Sequence, residues 1–238
     1  MTLFLYYGEY TAKEDVDIIN SVLKRKGHTI SDSFSDCDLI LSLGGDGTLL
    51  KAAKLALQVD KPLAGINCGR LGYLCFMKQE QIEDFDRLFG DSFISEKPLL
   101  SCELNGTEYT VVNDFVVGTT KFGKTVDLSL MVDGHFRYTM RGDGLIVCTP
   151  VGSTAYNLSA FGPLLDDDTH VLAITPICSH NRDIQPLIIP DNKEVTVSVN
   201  KDDAVIYADG EHIGSISDRI RIRKAQNCLK LYVRSKND

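Results

Sequence analysis

The run Asp38-Leu-Ile-Leu-Ser-Leu-Gly-Gly-Asp-Gly-Thr48 decides the fold. Its apolar stretch to Leu43 is nearly uninterrupted, as in a strand of a parallel sheet covered on both faces. Gly44 and Gly45 stop that strand, and from Thr48 to Leu57 the apolar residues return at helical spacing. A strand that passes through glycines into a helix leaves free N–H groups at the helix start, where phosphate is attracted. Gly44, Gly45 and Gly47 let a ligand approach the backbone, and Thr48 is the expected helix cap. Asp46 is the unusual component. A carboxylate beside phosphates repels them unless a cation lies between or a proton must be removed, and phosphoryl transfer presents both needs. The same residues also suit a tight strand–helix turn in which Asp46 merely caps the helix.

Outward from this loop, strand-like and helix-like stretches alternate. Leu3–Tyr7 reads as a strand. Ala12–Lys26 reads as a helix with Val16, Ile19, Val22 and Leu23 on one face and Gly27 at its end. Lys61–Ile66 is a further strand and Glu80–Phe89 a further helix. Such alternation predicts a parallel, doubly wound α/β sheet. Beyond residue 98 the period becomes two. Ser129–Val132 and His135–Thr139 flank an Asp133-Gly134 turn, and alternating strands are expected at Glu194–Val199, Ala204–Tyr207, Arg219–Arg223 and Cys228–Val233. The expected organisation is an α/β nucleotide-binding domain over residues 1–98 and a mainly antiparallel β domain over 99–238. The boundary falls near Glu96-Lys97-Pro98, and the last strand is free to pack back on the first domain.

A chain of 238 residues with 43% hydrophobic and 24% charged residues buries a real core as one large domain or two small ones. Its net charge of -8 argues against nucleic acid and anionic membranes as partners, since both are polyanions. Nucleotides remain open to it through local devices: backbone N–H groups, a few Lys or Arg side chains, or a metal ion. The first residues lack the basic and long apolar regions of a secretion signal, and no segment has the apolar length of a spanning helix. Its 7 cysteines are odd in number and never form CxxC, so neither a disulfide framework nor a zinc site is expected. The expected compartment is the cytoplasm.

Two common phosphate motifs, GxxxxGK[ST] and GxGxxG, are absent. A second glycine-bearing loop, Asn67-Cys-Gly-Arg-Leu-Gly-Tyr-Leu74, follows a strand. In a parallel sheet it opens on the same edge as the first. There Arg70 would neutralise phosphate and Tyr73 would stack on a ring, unless they are a solvated arginine and a core tyrosine. A longer run, Gly142-Asp143-Gly144 through Thr149-Pro-Val-Gly-Ser-Thr-Ala-Tyr-Asn-Leu-Ser159, does not match the GxSxG nucleophile elbow. Its hydroxyls, amides, Asn157 and Tyr156 suit hydrogen bonding to a sugar and a base; the alternative is a turn leading into a short helix. Asn113-Asp114 offers an amide and a carboxylate to ribose hydroxyls, or is a plain turn.

Taken together and in this order, Gly44–Thr48, the Asn67–Leu74 loop, Asn113-Asp114 and Gly142–Tyr156 resemble the NAD kinase family. Ile174-Thr-Pro-Ile-Cys-Ser-His180 and Asp209-Gly210 extend the likeness almost to the C-terminus. The resemblance implies transfer of the γ-phosphoryl group of ATP, or in some members of polyphosphate, to the adenosine-ribose 2′-hydroxyl of NAD. It implies an α/β nucleotide domain and a β-rich domain with NAD held between them and partly by a neighbouring subunit, in a homodimer or homotetramer. By position, Asp46 would orient or deprotonate the 2′-hydroxyl, and Gly44, Gly45, Gly47 and Thr48 would accommodate phosphate. Asn113 and Asp114 would hold ribose hydroxyls. Tyr73, Thr154, Ala155, Tyr156 and Ser159 would line the dinucleotide pocket. Asp143 and Ala173 would reach the site of an adjacent protomer. A divalent cation, Mg²⁺ or Mn²⁺, is expected to ride on the nucleotide phosphates without fixed protein ligands. Tyr73 stands where the family usually has Phe, Asp114 where Glu is common, Cys148 and Val151 where Ser and Thr are usual, and Ser179 where Pro is frequent. The Gly loop is also similar to that of lipid and sugar kinases, and loss of its carboxylate would instead suit a non-catalytic NAD(P) sensor.

Overall fold

The computed structural model of the chain describes residues 1–69, 72–121, 123–199 and 204–234. Its first unit comprises Met1–Lys97 with the chain from Cys228 onward. This unit opens with β1 (Thr2–Tyr7), α1 (Lys13–Arg25) and β2 (Thr29–Ser31). β3 (Leu39–Leu43), α2 (Asp46–Val59), β4 (Leu63–Asn67), β5 (Met77–Lys78) and α3 (Phe85–Gly90) follow. The strands pair in parallel in the order β2-β1-β3-β4-β5. Every residue of β3 and β4 is buried, as a sheet with helices on both faces requires.

Alternation along the strands separates the two faces. Leu39, Leu41, Leu43, Ala64 and Ile66 share a core with Ile19, Val22 and Leu23 of α1. Gly65, of opposite parity, backs on Leu49 of α2. The sheet is therefore doubly wound, and its winding reverses between β1 and β3. The loops after these adjacent strands meet at one edge, where Thr11 Oγ1 donates to the Leu43 carbonyl at 2.9 Å. In open α/β sheets this reversal point is where ligands bind.

Glu80–Phe89 is not one helix. Gln79–Asp84 forms a 3₁₀ turn before α3 begins. The apolar spacing explains the change, because buried Ile82 and Phe85 are three apart, which suits 3₁₀. Phe85 and Phe89 are four apart and stack at 5.4 Å on the α-helical turn that follows.

β6 (Ser92–Leu104) carries the chain from the first unit into the second, Pro98–Asn227, so the passage is a strand and not a linker. β7 (Thr107–Val111), β8 (Asp114–Thr119), β9 (Val126–Val132), β10 (His135–Gly142) and β11 (Gly144–Cys148) come next. The single-turn helix α4 (Tyr156–Ser159) precedes β12 (Val171–Ile177), β13 (Leu187–Pro190), β14 (Val195–Val199), β15 (Ala204–Ala208), β16 (Glu211–Ile216) and β17 (Arg219–Arg234). Arg219–Arg223 and Cys228–Val233, expected as separate strands, are the two ends of β17. Its first part pairs antiparallel with β14, and Leu231 pairs in parallel with Leu63 of β4 within the first unit.

Within the second unit β10, β9, β14 and β17 form one antiparallel layer. The other layer is antiparallel in the order β13-β12-β11-β8-β15-β16. Leu128, Leu130, Val195 and Ile220 from the first layer meet Phe115, Val117, Leu145, Ile174 and Ile206 from the second in one core. Each such fully buried aliphatic side chain contributes about 1.5–3 kcal/mol. Because strand side chains alternate, the same strands send Asp114, Val116, Ile146, Cys148 and Tyr207 to the opposite face of the six-stranded layer. The candidate site of this unit lies on that face.

Candidate active site

In the first unit α2 starts at Asp46, two residues earlier than expected, with extended Gly45 as its N-cap. Leu49 N–H returns to the Gly45 carbonyl at 3.1 Å as the first full helical bond. Thr48 N–H shares the same carbonyl at 3.0 Å, which leaves the N–H groups of Asp46 and Gly47 as the donors facing out of the helix start. Thr48 is therefore inside the first turn and not the cap. Its hydroxyl lies against Gly44 and Gly8, closing the two loops on each other.

The Asp46 carboxylate does not cap its own helix. Oδ2 accepts the Tyr73 N–H at 2.9 Å and Oδ1 the Leu74 N–H at 3.1 Å, so the second glycine loop is tied to the first. Gly72 permits this approach, since a Cβ there would lie 2.2 Å from Asp46 Oδ1. Both bonds are to an anion and orient it, and a carboxylate with about four lone-pair sites retains capacity for a ligand hydroxyl. The Tyr73 ring is 76% exposed. It is thus not a core tyrosine. Arg70 lies outside the described residues.

In the second unit Asn113, Asp114, Asp143, Ala155 and Tyr156 line one cavity of about 780 Å³. Asp114 opens β8 instead of sitting in a turn, and only 4% of it is exposed. Burial, and then the negative charge of Asp209, push its carboxyl up to about 7. Ala155 and Tyr156 stand at the start of α4, and burial also raises the Tyr156 phenol. Asp143 lies between β10 and β11, in the lining of its own chain's cavity. It hydrogen-bonds the Cys178 thiol, which this contact raises.

The polar run after β11 is used mostly within the protein. Thr149 Oγ1 donates to the Val112 carbonyl at 2.6 Å and accepts the Gly152 N–H at 3.0 Å. Gly152 presses on the same segment so closely that a Cβ would lie 2.1 Å from the Asn113 oxygen. Ser153 Oγ accepts the Leu165 N–H, and Asn157 bonds the Ser153 and Pro163 carbonyls and the Thr175 hydroxyl. Thr149, Ser153 and Asn157 are fully buried. The expectation that this run offers its hydroxyls and Asn157 to a sugar and base is therefore corrected at these positions: buried polar groups must be paired, and these find their partners in neighbouring backbone and in the Thr175 hydroxyl. Thr154 Oγ1 donates to the Val151 carbonyl, and Ser159 is exposed on α4. Ala173 is fully buried in β12 beside Val116, Ile146 and Cys148.

The sequence reading left out several cavity residues. Lys121 and Lys124, on the loop after β8, bring positive charge to the cavity, and Tyr207 brings a ring. Asp209, noted in the sequence only as part of the family likeness and with no role given, contributes most to the local backbone. Its carboxylate accepts the N–H groups of Val112, Asn113 and Asp114 at 2.9, 2.8 and 3.2 Å, and its own N–H donates to the Asp114 carbonyl at 3.1 Å. The available signal was the Asp-Gly pair between two alternating strands, which marks a tight hairpin without showing what its carboxylate binds.

Among the described residues no group of three or more His, Cys, Asp or Glu is placed to hold a metal ion, and no helix is long and apolar enough to cross a membrane.

Comparison with known proteins agrees with these motifs. The ATP-NAD kinase N-terminal domain model matches residues 9–91 and the C-terminal domain model residues 112–233. The NAD kinase of Clostridium perfringens (strain 13 / Type A) is 33% identical over 96% of this chain and 85% of its own. An NAD kinase from Archaeoglobus fulgidus, solved in complex with ATP, superposes with a TM-score of 0.83 at 26% identity, covering 100% of this chain and 94% of that one. Yeast NADH kinase complexed with NADH has the same fold, with a TM-score of 0.87 at 17% identity over 100% of this chain and 84% of that one. By the matched domains and the near-full-length relatives, the chain belongs to the NAD kinase family, whose enzymes phosphorylate NAD to NADP.

Proposed function

We propose that this NAD kinase takes the γ-phosphoryl group of ATP, with Asp46 accepting the proton of the adenosine-ribose 2′-hydroxyl. The 2′-oxygen forms the new bond to phosphorus, the bond to the β-phosphate oxygen breaks, and ADP leaves. The observation that carries this reading is the Asp46 carboxylate, oriented by the Tyr73 and Leu74 amides at the N-terminus of α2. A base must be held in position before its basicity matters. The positive end of α2 and Gly44, Gly45 and Gly47 then suit the donor's phosphates. ATP as donor is favoured by the likeness to the Archaeoglobus fulgidus enzyme, which binds it.

The cavity of the second unit suits the dinucleotide in size and chemistry, since ligand pockets run to about 300–1,000 Å³. Asn113 and Asp114 supply an amide and a carboxyl to ribose hydroxyls, Tyr156 an aromatic wall, and Lys121 and Lys124 cationic partners for the pyrophosphate. A divalent cation, Mg²⁺ or Mn²⁺, enters on the donor phosphates. An octahedral ion that keeps several waters and takes its other ligands largely from phosphate fits a chain with a net charge of -8 and a single carboxylate in the phosphate loop. When bound it neutralises phosphate charge. The side chains of Tyr156, Leu158, Phe161 and Leu164, all exposed around α4, favour burial against a second copy in a homo-oligomer. All 7 cysteines are free, which suits the cytoplasm.

Incubation with NAD, ATP and Mg²⁺, read out with an NADP-specific dehydrogenase, tests the donor and the ion together. NADP should form with ATP and stop in excess EDTA. Formation only with polyphosphate would overturn the donor assignment, and full activity in EDTA the metal.

A further inference from the structure

We infer that Asp209, which does no chemistry itself, is a positioning residue: its carboxylate builds the Asn113–Asp114 edge of the cavity and fixes a negative charge beside Asp114. The inference rests on the assignment of that edge to NAD.

The geometry is local and specific. Asp209 begins the turn between β15 and β16 with a φ of 47°, and Gly210 follows at 81°. This left-handed pair folds the turn so that the carboxylate points across to the start of β8. Oδ2 takes the Val112 N–H and Oδ1 takes those of Asn113 and Asp114. The backbone bond from Asp209 N–H to the Asp114 carbonyl locks the other side. Thr149 holds the same segment from beneath through the Val112 and Asn113 carbonyls. Three consecutive amides are thus directed at one carboxylate, and the backbone that carries the Asn113 and Asp114 side chains is fixed before any ligand arrives. Such preorganisation lowers the cost of ordering on binding.

The same carboxylate acts on Asp114 electrostatically. Asp114 is buried, and like charge nearby disfavours its ionised form. The other groups facing it are Asp143 from the β10–β11 junction, Lys121 and Lys124 from the loop after β8, Tyr156 from α4, Tyr207 from β15 and the Cys148 thiol from β11. With its carboxyl pushed up to about 7, Asp114 is divided between acid and carboxylate near neutrality. Two donating ribose hydroxyls are better met by the two oxygens of the carboxylate than by the acid. kcat/KM for NAD should therefore rise with pH through about 7 and level off above it. Because the folded value lies above the ordinary carboxylate range, the protein binds an extra proton between the two values, and Asp114 lowers stability progressively as pH rises toward 7.

The test compares Asp209→Asn, Asp209→Ala and Asp114→Asn with the wild type. Asp209→Asn keeps the oxygen that serves two of the amides and removes the charge. It should raise KM for NAD several-fold, leave kcat and KM for ATP within twofold, and move the ascending limb of kcat/KM to lower pH by about half a unit to one unit. A purely structural residue would lower stability without moving that limb. Asp209→Ala, which loses all three acceptors, should raise KM further. If it fails to fold, the Asn variant still decides. An unchanged limb together with an unchanged KM in Asp209→Asn overturns the inference. Asp114→Asn checks the underlying assignment, because it should abolish the limb. If it leaves both the profile and KM untouched, Asp114 does not hold NAD. A ¹³C titration of the Asp114 carboxyl in the wild type and Asp209→Asn then settles the coupling alone, a common midpoint refuting it and a lower one in the variant upholding it.

Discussion

In the first unit the Asp46 carboxylate accepts the N–H groups of Tyr73 and Leu74, and in the second the Asp209 carboxylate accepts those of Val112, Asn113 and Asp114. Each ties a loop distant in sequence to the element that carries it. They differ in what surrounds the anion. Asp46 is the first residue of an α-helix, where the helix dipole favours both a carboxylate and an incoming phosphate. Asp209 sits in a β-turn beside a buried carboxyl, where its charge works against a neighbour. One bonding pattern thus orients Asp46 at a helix N-terminus, where we propose the reacting hydroxyl enters, and sets Asp209 beside Asp114, which we propose recognises substrate.

The largest effect should come from Asp46→Asn. The amide cannot take a proton from the 2′-hydroxyl, and its NH₂ faces one of the two loop N–H groups. Turnover should fall about 10²- to 10⁴-fold, while the dissociation constant for NAD rises only a few-fold. Single-turnover kinetics and calorimetry separate the two quantities. Near-normal turnover would remove Asp46 as the base and leave its two hydrogen bonds the sole duty of tying one loop to the other.

Two closely approached glycines sharpen the contrast. A methyl group at Gly72 would meet Asp46 Oδ1 at 2.2 Å, and one at Gly152 would meet the Asn113 oxygen at 2.1 Å. Gly72 is only part-buried and its clash is with a side-chain carboxylate, so Gly72→Ala should displace that carboxylate and cost on the order of 10²-fold in kcat with little change in melting temperature. Gly152 is buried among paired groups. Gly152→Ala should therefore cost about 1–3 kcal/mol of stability by overpacking, lowering Tm by several degrees, and should raise KM for NAD through Asn113. Melting curves that fall equally for both variants would erase the distinction.

Much of the first unit was legible because its signals are local. The apolar run of β3, the glycines after it and the helical spacing of α2 lie within one short stretch. The tie from Asp46 to residues 73 and 74 was not legible, since it depends on how two loops meet at a sheet edge. β17 was read as two strands because Lys224-Ala-Gln-Asn227 interrupts the alternation, yet its backbone continues extended. The Asp-Gly turns show the limit most clearly. Asp133 and Asp209 have φ values of 49° and 47°, and each is followed by a glycine at positive φ between paired strands. Asp133 accepts the Glu194 N–H and pairs with Lys193 on an exposed hairpin, whereas Asp209 organises a cavity. Identical turn chemistry permits either, and only the third strand brought alongside decides.

The smallest effect is expected at Tyr73, where main chain and side chain have separable duties. Its N–H holds Asp46 whatever the side chain, and its ring is largely in solvent. Tyr73→Phe keeps both the amide and the ring, so kcat and KM for NAD should stay within twofold. Tyr73→Ala removes the ring alone. A stacking contact worth about 0.5–1.5 kcal/mol predicts a rise of roughly 2- to 10-fold in KM with kcat held. A tenfold loss of kcat in Tyr73→Phe would place the phenol itself in the chemistry. The loop beside Asp46 would then act through a side chain as well as its backbone, and the resemblance to the amide cluster around Asp209 would end there.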